Sequence, residues 1–356
     1  MIAFRVDSST QIGSGHLMRC LTLAGQIKKE KNADIAFFSR DLEGNLNDLI
    51  IQQGYKLYVL PRVKVHTGLE GYEKWLMVKQ TFDAEQTEKI LQQLDVAYLI
   101  VDSYAIDEIW EKVVRPYVKK IMVIDDLANR KHDCNILLDQ NYYSDMKTRY
   151  NGLVSSECKM LLGPQYALLR EEFYEARKKM RVRHGNIKNI LVFFGGSDLT
   201  NETMKALKAL TMFTFSGIQI NVIVGKSNPH KGQVEEFCSQ HKGIQYFCQV
   251  ANIAELMNEA DLAIGAGGTT TWERCFLGLP AIVIAVAENQ VKISEDCNNI
   301  GIIKYIGIAD DIDTGYLQSY SFELIHNKEN IKSMQKQIEL LFCEGSLNSV
   351  LNRLFE

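Results

Sequence analysis

"IAFRVDSSTQIGSGHLMRCLTLA", Ile2 to Ala24, holds the unit from which the whole chain is read: an apolar run, a turn bracketed by glycines, and a helical pattern. Behind the turn, Leu17, Leu21, Ala24 and Ile27 recur at the spacing of one helix face. The alternation returns with the runs "DIAFFS", "KLYVL", "AYLIVD" and "KKIMVID", and Ile90, Leu91 and Leu94 mark an intervening helix. Strands that read as nearly continuous Ile, Val and Phe, separated by helices, imply a parallel sheet covered on both faces. That is a doubly wound α/β domain.

A change comes at "YALLREEFYEARKKMRVRHGNIKN", where a helix ends in a basic, polar stretch before the strand "NILVFFGGSD". The alternation then restarts, with "IQINVIVG", "IQYFC", "LAIGAGG" and "PAIVIAV" as strands. Helices are expected at Glu202 to Leu210, Glu235 to Gln240, Ile253 to Met257 and Thr270 to Leu277. Asn327 to Phe342 reads as helical, and "SLNSVLNRLFE" as a further helix packing on either domain. The chain is therefore expected to form two similar-sized Rossmann-like domains, residues 1–184 and 185–356, facing one cleft. Open α/β sheets bind ligands beyond the carboxyl ends of their strands, so the motifs that matter are those at strand ends.

At 356 residues the chain is too long for most single cores. Its hydrophobic content of 46% and charged content of 24% are those of an ordinary globular protein. A formal charge of -4 argues against nucleic acid or an anionic membrane as the main partner, and leaves room for a small anionic substrate. The start of the chain lacks a basic region followed by an apolar one, and no stretch approaches the roughly 18 apolar residues of a membrane span. A cytoplasmic monomer is expected. The eight cysteines, Cys20, Cys134, Cys158, Cys238, Cys248, Cys275, Cys297 and Cys343, form no C-x-x-C pair and read mostly as small buried hydrophobes.

Gly13, Ser14, Gly15 and His16 follow the first strand and open the first helix. Two glycines let the backbone approach a ligand, and the first turn of a helix favours an anion. Arg19 and Cys20 stand where a dinucleotide loop would carry its third glycine, so that fingerprint fits poorly. Either the loop is an ordinary turn followed by an incidental histidine, or it delivers His16 to the site. In the second half, "FFGGSDLTN" ends a strand in Gly195, Gly196 and Ser197, with Thr200 or Asn201 placed to cap the next helix. Phosphate binding and a plain turn both suit that segment.

"GAGGTTTWERCFLGLPAIVIAVAENQ", Gly265 to Gln290, is more specific. Gly265, Gly267 and Gly268 close a strand, and Thr269, Thr270 and Thr271 offer hydroxyl and N–H donors at a helix start, where a pyrophosphate can rest. Glu273, one turn in, is placed to accept both hydroxyls of a ribose, unless it merely answers the helix dipole. Glu288, Asn289 and Gln290 follow the next strand. In the first half, Asp102, Ser103 and Tyr104 end one strand and Asp125 and Asp126 another. Adjacent aspartates in extended chain point to opposite sides, so capping competes with acid and base work. His132, beside Asp133 and Cys134, lacks the further ligands of a zinc site, and no metal or cofactor is expected.

With these pieces in order, the sequence resembles a family of bacterial hydrolases that cleave UDP-2,4-diacetamido-2,4,6-trideoxy-β-L-altropyranose in pseudaminic acid biosynthesis. The resemblance runs through "FRVDSSTQIGSGHLMRCLTLA", "YEKWLMVKQTFDAEQT", "VDSY", "VIDDLANRKHDCNILLDQN", "LLGPQYALLREEF", "FFGGSDLTN" and "TTTWERCFLGLPAIVIAVAENQ". It implies the GT-B architecture, with a second domain similar to the UDP-binding domain of the peptidoglycan N-acetylglucosaminyltransferase. It implies His16 as catalytic base, Tyr104 and Asn289 at the sugar end of the site, and Glu273 on the ribose. Ser103 stands where relatives often carry histidine.

The chemistry suits those residues. An alcohol leaving group needs protonation, hence the paired carboxylates of ordinary glycosidases. A nucleoside diphosphate, with a terminal pKa of about 6, leaves as an anion. The site then needs charge stabilisation at helix starts and a base for water, a task that suits a histidine, with its ordinary pKa of about 6.5. The expected reaction is inverting attack of water on the anomeric carbon of a UDP-sugar. A glycosyltransferase with the same donor site, and a nucleotide-sugar-binding protein without catalysis, are the alternatives.

Overall fold

The structure is a computed structural model that describes residues 1–212, 217–342 and 350–356. Among these residues the strands form two sheets, one of seven strands and one of six. The first contains β1 (Ile2–Val6), β2 (Ile35–Arg40), β3 (Lys56–Leu60), β4 (Val96–Asp102), β5 (Val118–Ile124), β6 (Ile136–Asp139) and β7 (Lys159–Leu162). The second contains β8 (Asn189–Phe193), β9 (Gln219–Val224), β10 (Ile244–Cys248), β11 (Leu262–Ala266), β12 (Ala281–Ala285) and β13 (Lys304–Ile308). Their orders are β3-β2-β1-β4-β5-β6-β7 and β10-β9-β8-β11-β12-β13, with every neighbouring pair parallel. The strand order reverses between β1 and β4 in one sheet and between β8 and β11 in the other. These are the positions at which such sheets bind ligands.

The long central strands are legible because both faces of a parallel sheet are covered, so their side chains are mostly apolar. On one face of the first sheet, Leu17, Cys20, Leu21, Ala24 and Ile27 of the helix Gly15–Lys31 pack on Phe4, Phe37 and Ile100. The helix Val350–Leu354 joins the same cluster through Val350, Leu351 and Leu354, so the end of the chain packs on the first sheet. Residues 346–349 of that expected helix lie outside the described residues. The other face is covered by residues such as Leu91, Trp110 and Val114.

One buried ionic cluster ties the helix Gln80–Leu91 to this sheet. Asp83 accepts from Arg5 Nη2 at 2.8 Å, Arg40 Nη2 at 2.6 Å and the Trp110 indole at 2.9 Å, while Arg5 also pairs with Asp7 at 2.7 Å. Two arginines and two aspartates balance, which is how charges this deep are tolerated.

The chain divides into two compact units. Residues 1–141, 145–168 and 350–356 form the first; residues 142–144, 169–212 and 217–342 form the second. The division thus falls between Leu168 and Leu169, ahead of the join near residue 185 that the polar stretch suggests. That stretch is a set of anchors to the second unit. Arg181 donates to the carbonyls of Asn258 and Glu259 at 2.9 and 2.8 Å, and Arg183 to those of Ala260 and Leu277 at 2.8 and 2.6 Å. These carbonyls close the helices Ile253–Glu259 and Thr270–Phe276, where arginine answers both the open acceptors and the helix dipole. Strands β6 and β7 are not legible because they have four residues each and carry Asp139 or Lys159, and β13 because Lys304 and Gly307 interrupt its apolar run.

Candidate active site

In the first unit the site begins with a turn that only glycine makes cheaply. Gly13 has φ +78° and its N–H donates to Ser9 O at 2.9 Å, while Ile12 N–H donates to Ser9 Oγ at 3.0 Å. The helix Gly15–Lys31 then starts, putting His16 in its first turn and Arg19 one turn on, along the same face. Both meet Asp102, the last residue of β4, across the β1/β4 reversal. His16 Nδ1 lies 2.6 Å from Asp102 Oδ1. Arg19 grips the same carboxylate through Nε to Oδ2 and Nη2 to Oδ1, each at 2.6 Å, and donates through Nη1 to Asp126 Oδ2 at 3.1 Å.

Burial alone would push the Asp102 carboxyl up, but the Arg19 guanidinium and the His16 imidazole hold it well below the usual carboxylate range. An ionised carboxylate can only accept, so the hydrogen in the His16 contact belongs to Nδ1. In the neutral ring Nε2 is then the nitrogen with a lone pair; Arg19 Nη2 also lies 3.2 Å from Nδ1. The rings of Tyr104 and His16 meet edge to face, with centroids 4.6 Å apart at 87°, and the Tyr104 hydroxyl donates to Asp126 Oδ1 at 2.6 Å. Burial and Asp126 push the phenol well above its ordinary range, so it stays protonated. Cys20, buried in the same helix, has its thiol pushed up by burial and donates to Asp102 Oδ2 at 3.5 Å.

The neighbouring acidic residues separate as adjacent positions in extended chain should. Asp126 turns to Arg19 and Tyr104, whereas Asp125 accepts from Ala128 N–H at 2.9 Å and pairs with Arg130 at 2.7 Å, closing a turn. His132 Nδ1 lies 2.7 Å from Glu111 Oε1, a structural pair. Ser103 Oγ accepts from Ala105 N–H at 3.3 Å. Arg19, which the sequence marks only as a departure from a dinucleotide loop, pairs with Asp102 and with Asp126, a strand-end carboxylate that the sequence leaves between capping and acid-base work. The available signal was the His-x-x-Arg spacing, which puts both side chains on one helix face opposite a strand that ends in aspartate.

In the second unit, Gly195 (φ +89°), Gly196 and Ser197 turn the chain out of β8. The cap of the following helix is Asp198, whose carboxylate accepts from Glu202 and Thr203 N–H at 2.9 Å each. Thr200 and Asn201 do not fill that role: Asn201 is left-handed at φ +59° and makes no side-chain cap. A carboxylate reaches back over two N–H groups where a hydroxyl or amide reaches one.

At the end of β11, Gly265 and Gly267 are packed too closely for any side chain. A Cβ on Gly265 would collide with the Phe193 carbonyl, and one on Gly267 with Ser294 Oγ. Gln290 Oε1 accepts from Gly267 N–H at 3.2 Å and Val286 N–H at 3.1 Å, so this side chain braces the loop. Gly268 and Thr270 are partly buried and Thr269 is exposed at the helix start. Arg274, buried beneath the loop, donates to Ala266 O at 2.8 Å and Thr271 Oγ1 at 3.1 Å; burial lowers its pKa to about 10. Glu273 is raised by burial, against the opposing charge of Arg170, whose Nη2 lies 3.2 Å from Oε1.

The structure thus gathers His16 and Tyr104 in the first unit. The second unit holds the Gly195–Ser197 turn and the Gly267–Thr270 loop at neighbouring strand ends, with Glu273 and Gln290 beside the latter. Asn289 belongs to that second unit, exposed on the 3-10 helix Glu288–Gln290. Among the described residues no group of three or more His, Cys, Asp or Glu side chains is arranged to hold a metal ion, and no helix is long and apolar enough to cross a membrane.

Residues 189–339 match the glycosyltransferase family 28 C-terminal domain. The chain is 29% identical over 303 residues to the uncharacterized protein MJ1062 of Methanocaldococcus jannaschii, with 83% of this chain aligned but only 57% of that longer protein. It is 31% identical over 290 residues to the UDP-2,4-diacetamido-2,4,6-trideoxy-β-L-altropyranose hydrolase of Campylobacter jejuni, covering 81% of this chain and 93% of that one. Its backbone matches the crystal structure of Acinetobacter baumannii MurG with a TM-score of 0.63 at 14% identity, over 95% of this chain and 94% of the other, so the fold is the GT-B fold. By its sequence along most of its length, the chain belongs to the UDP-2,4-diacetamido-2,4,6-trideoxy-β-L-altropyranose hydrolase family.

Proposed function

We propose that this protein acts on a UDP-sugar and hydrolyses a UDP-linked 2,4-diacetamido-2,4,6-trideoxyhexose to UDP and the free sugar, with inversion, in pseudaminic acid biosynthesis. The observation that carries this reading is the His16–Asp102 contact at 2.6 Å, with Asp102 clamped in its ionised form by Arg19. Asp102 holds the proton of His16 on Nδ1, and Nε2 takes a proton from water as the water oxygen bonds to the anomeric carbon. The bond from that carbon to the diphosphate oxygen breaks, and both its electrons leave with UDP. Two carboxylates are not needed, because the leaving group departs as an anion. The loop Gly267–Thr270 and the turn Gly195–Ser197 are the proposed diphosphate contacts, Glu273 the ribose contact, and Gly13 and Gly15 the close backbone approach near His16. Tyr104 and Asn289 are assigned to the sugar.

The glycosyltransferase family 28 match favours a second reading, transfer of the sugar to an acceptor hydroxyl. UDP release from a panel of UDP-diacetamido-trideoxyhexoses, with NMR of the fresh product, separates the two. Hydrolysis gives the free sugar of inverted anomeric configuration at full rate in buffer alone. Slow release accelerated many-fold by a sugar or lipid acceptor would establish transfer.

A further inference from the structure

Between β3 and the helix Gln80–Leu91 the chain makes an excursion over residues 61–79, whose only helix is the single turn Glu73–Leu76 among the described residues. Its interior is anchored by Leu76 and Val78, both buried. Polar contacts fix its ends: Glu73 pairs with Lys79 at 2.9 Å and accepts from Gln80 N–H at 3.3 Å, Lys79 Nζ reaches Gly68 O at 2.5 Å, and His66 N–H donates to Met77 O at 3.0 Å. What this scaffold holds up is a pair of aromatic rings. Trp75 lies 5.7 Å from Tyr104 at 32° and 6.5 Å from His16 at 71°; Tyr72 lies 4.7 Å from Trp75 and 5.1 Å from Tyr104. Both Tyr72 and Trp75 are only partly buried, unlike Trp110 and Trp272, which the cores enclose.

Aromatic faces at the side of a base that works on a sugar carbon offer an apolar wall, and what such a wall selects is apolar substituents. A hexose that has lost hydroxyls and gained N-acetyl groups presents methyl groups where an ordinary hexose presents hydroxyls. We propose that Tyr72 and Trp75 form the specificity-determining wall of the sugar subsite, which takes the acetamido methyls and the C6 methyl of an N-acylated deoxyhexose and discriminates against fully hydroxylated sugars. This inference rests on the UDP-sugar reading above and adds the residues that choose the sugar.

The test measures binding, so that it does not depend on turnover. Isothermal titration compares UDP, a UDP-2,4-diacetamido-2,4,6-trideoxyhexose and UDP-N-acetylglucosamine on the full chain carrying His16→Asn, with and without Trp75→Ala or Tyr72→Ala. A methyl group in an apolar pocket is worth about 10-fold to 200-fold in discrimination. Trp75→Ala is expected to weaken the diacetamido ligand at least about 10-fold, to weaken UDP-N-acetylglucosamine less, and to leave UDP unchanged. If Trp75→Ala loses UDP affinity as well, Trp75→Leu, which keeps an apolar anchor and removes the ring face, is read in its place. Equal ratios of diacetamido ligand to UDP in all variants would overturn the proposal, and so would a chain that binds no UDP. The predicted shift in ratios, together with no UDP release by the unsubstituted chain, would instead count against hydrolysis and leave the sugar wall standing.

Discussion

A histidine serves as a base when one ring nitrogen is committed to a hydrogen and the other is left to accept one. Asp102 makes that commitment for His16, and Arg19 keeps Asp102 charged while doing so. Asp102→Asn, which is close in shape, should cut turnover by about 100-fold to 10,000-fold, because a carboxamide can present its N–H to Nδ1 and fix the wrong tautomer. UDP affinity should not move, and equal losses in binding and turnover would contradict the role. A second carboxyl tests the electrostatics of the same strand ends. Asp139 is pushed up to about 8 by burial, with Asp126 adding to this and Arg149 opposing it. An unfolded carboxyl titrates near about 3.9, so the folded chain holds this proton to higher pH than the unfolded one. Its contribution to stability is complete below the unfolded value and is lost as pH rises through about 8. The melting temperature of Asp139→Asn, relative to the unsubstituted chain, should therefore climb from pH 5 to pH 8 and then level. A difference that stays flat with pH would refute it.

At the scale of elements, strands and caps differ in how much the residues alone reveal. The runs from β1 to β5 and from β8 to β12 were readable because each is a near-continuous apolar stretch between helical patterns. Four-residue β6 and β7 are too short to show a period. Capping was half legible: a helix start is evident after Gly196, but Thr200 and Asn201 are the expected caps, and Asp198 fills the role through its two N–H contacts. Asp198 and Asn201 both have positive φ, so glycine is the fair replacement at each: Asp198→Gly should cost about 0.5–2 kcal/mol more in urea unfolding than Asn201→Gly. The reverse order would show that the cap is assigned wrongly. The site was readable where a residue carried its own signal, as His16 behind its glycine turn did. It was opaque where meaning lies in a distant partner: Arg19 stood only as a missing glycine until Asp102 and Asp126, 83 and 107 residues away, were placed beside it.

For the whole molecule, the two units divide the labour in the proposed reaction. The base and its clamp lie in the first; the loop, brace and carboxylate assigned to the nucleotide lie in the second. Glu273→Gln should weaken UDP about 10-fold or more if a carboxylate holds the ribose, through loss of charge-assisted hydrogen bonds, and should leave the affinity for inorganic diphosphate unchanged. A matched loss for both ligands would assign Glu273 to general electrostatics with Arg170.

The most direct test of the central claim is UDP release from a UDP-2,4-diacetamido-2,4,6-trideoxyhexose by the His16→Asn chain, with the UDP dissociation constant measured on the same preparation. Loss of nearly all turnover, about 100-fold or more, with unchanged UDP affinity is the predicted result. Turnover retained at the unsubstituted rate would contradict the assignment of His16 as the base.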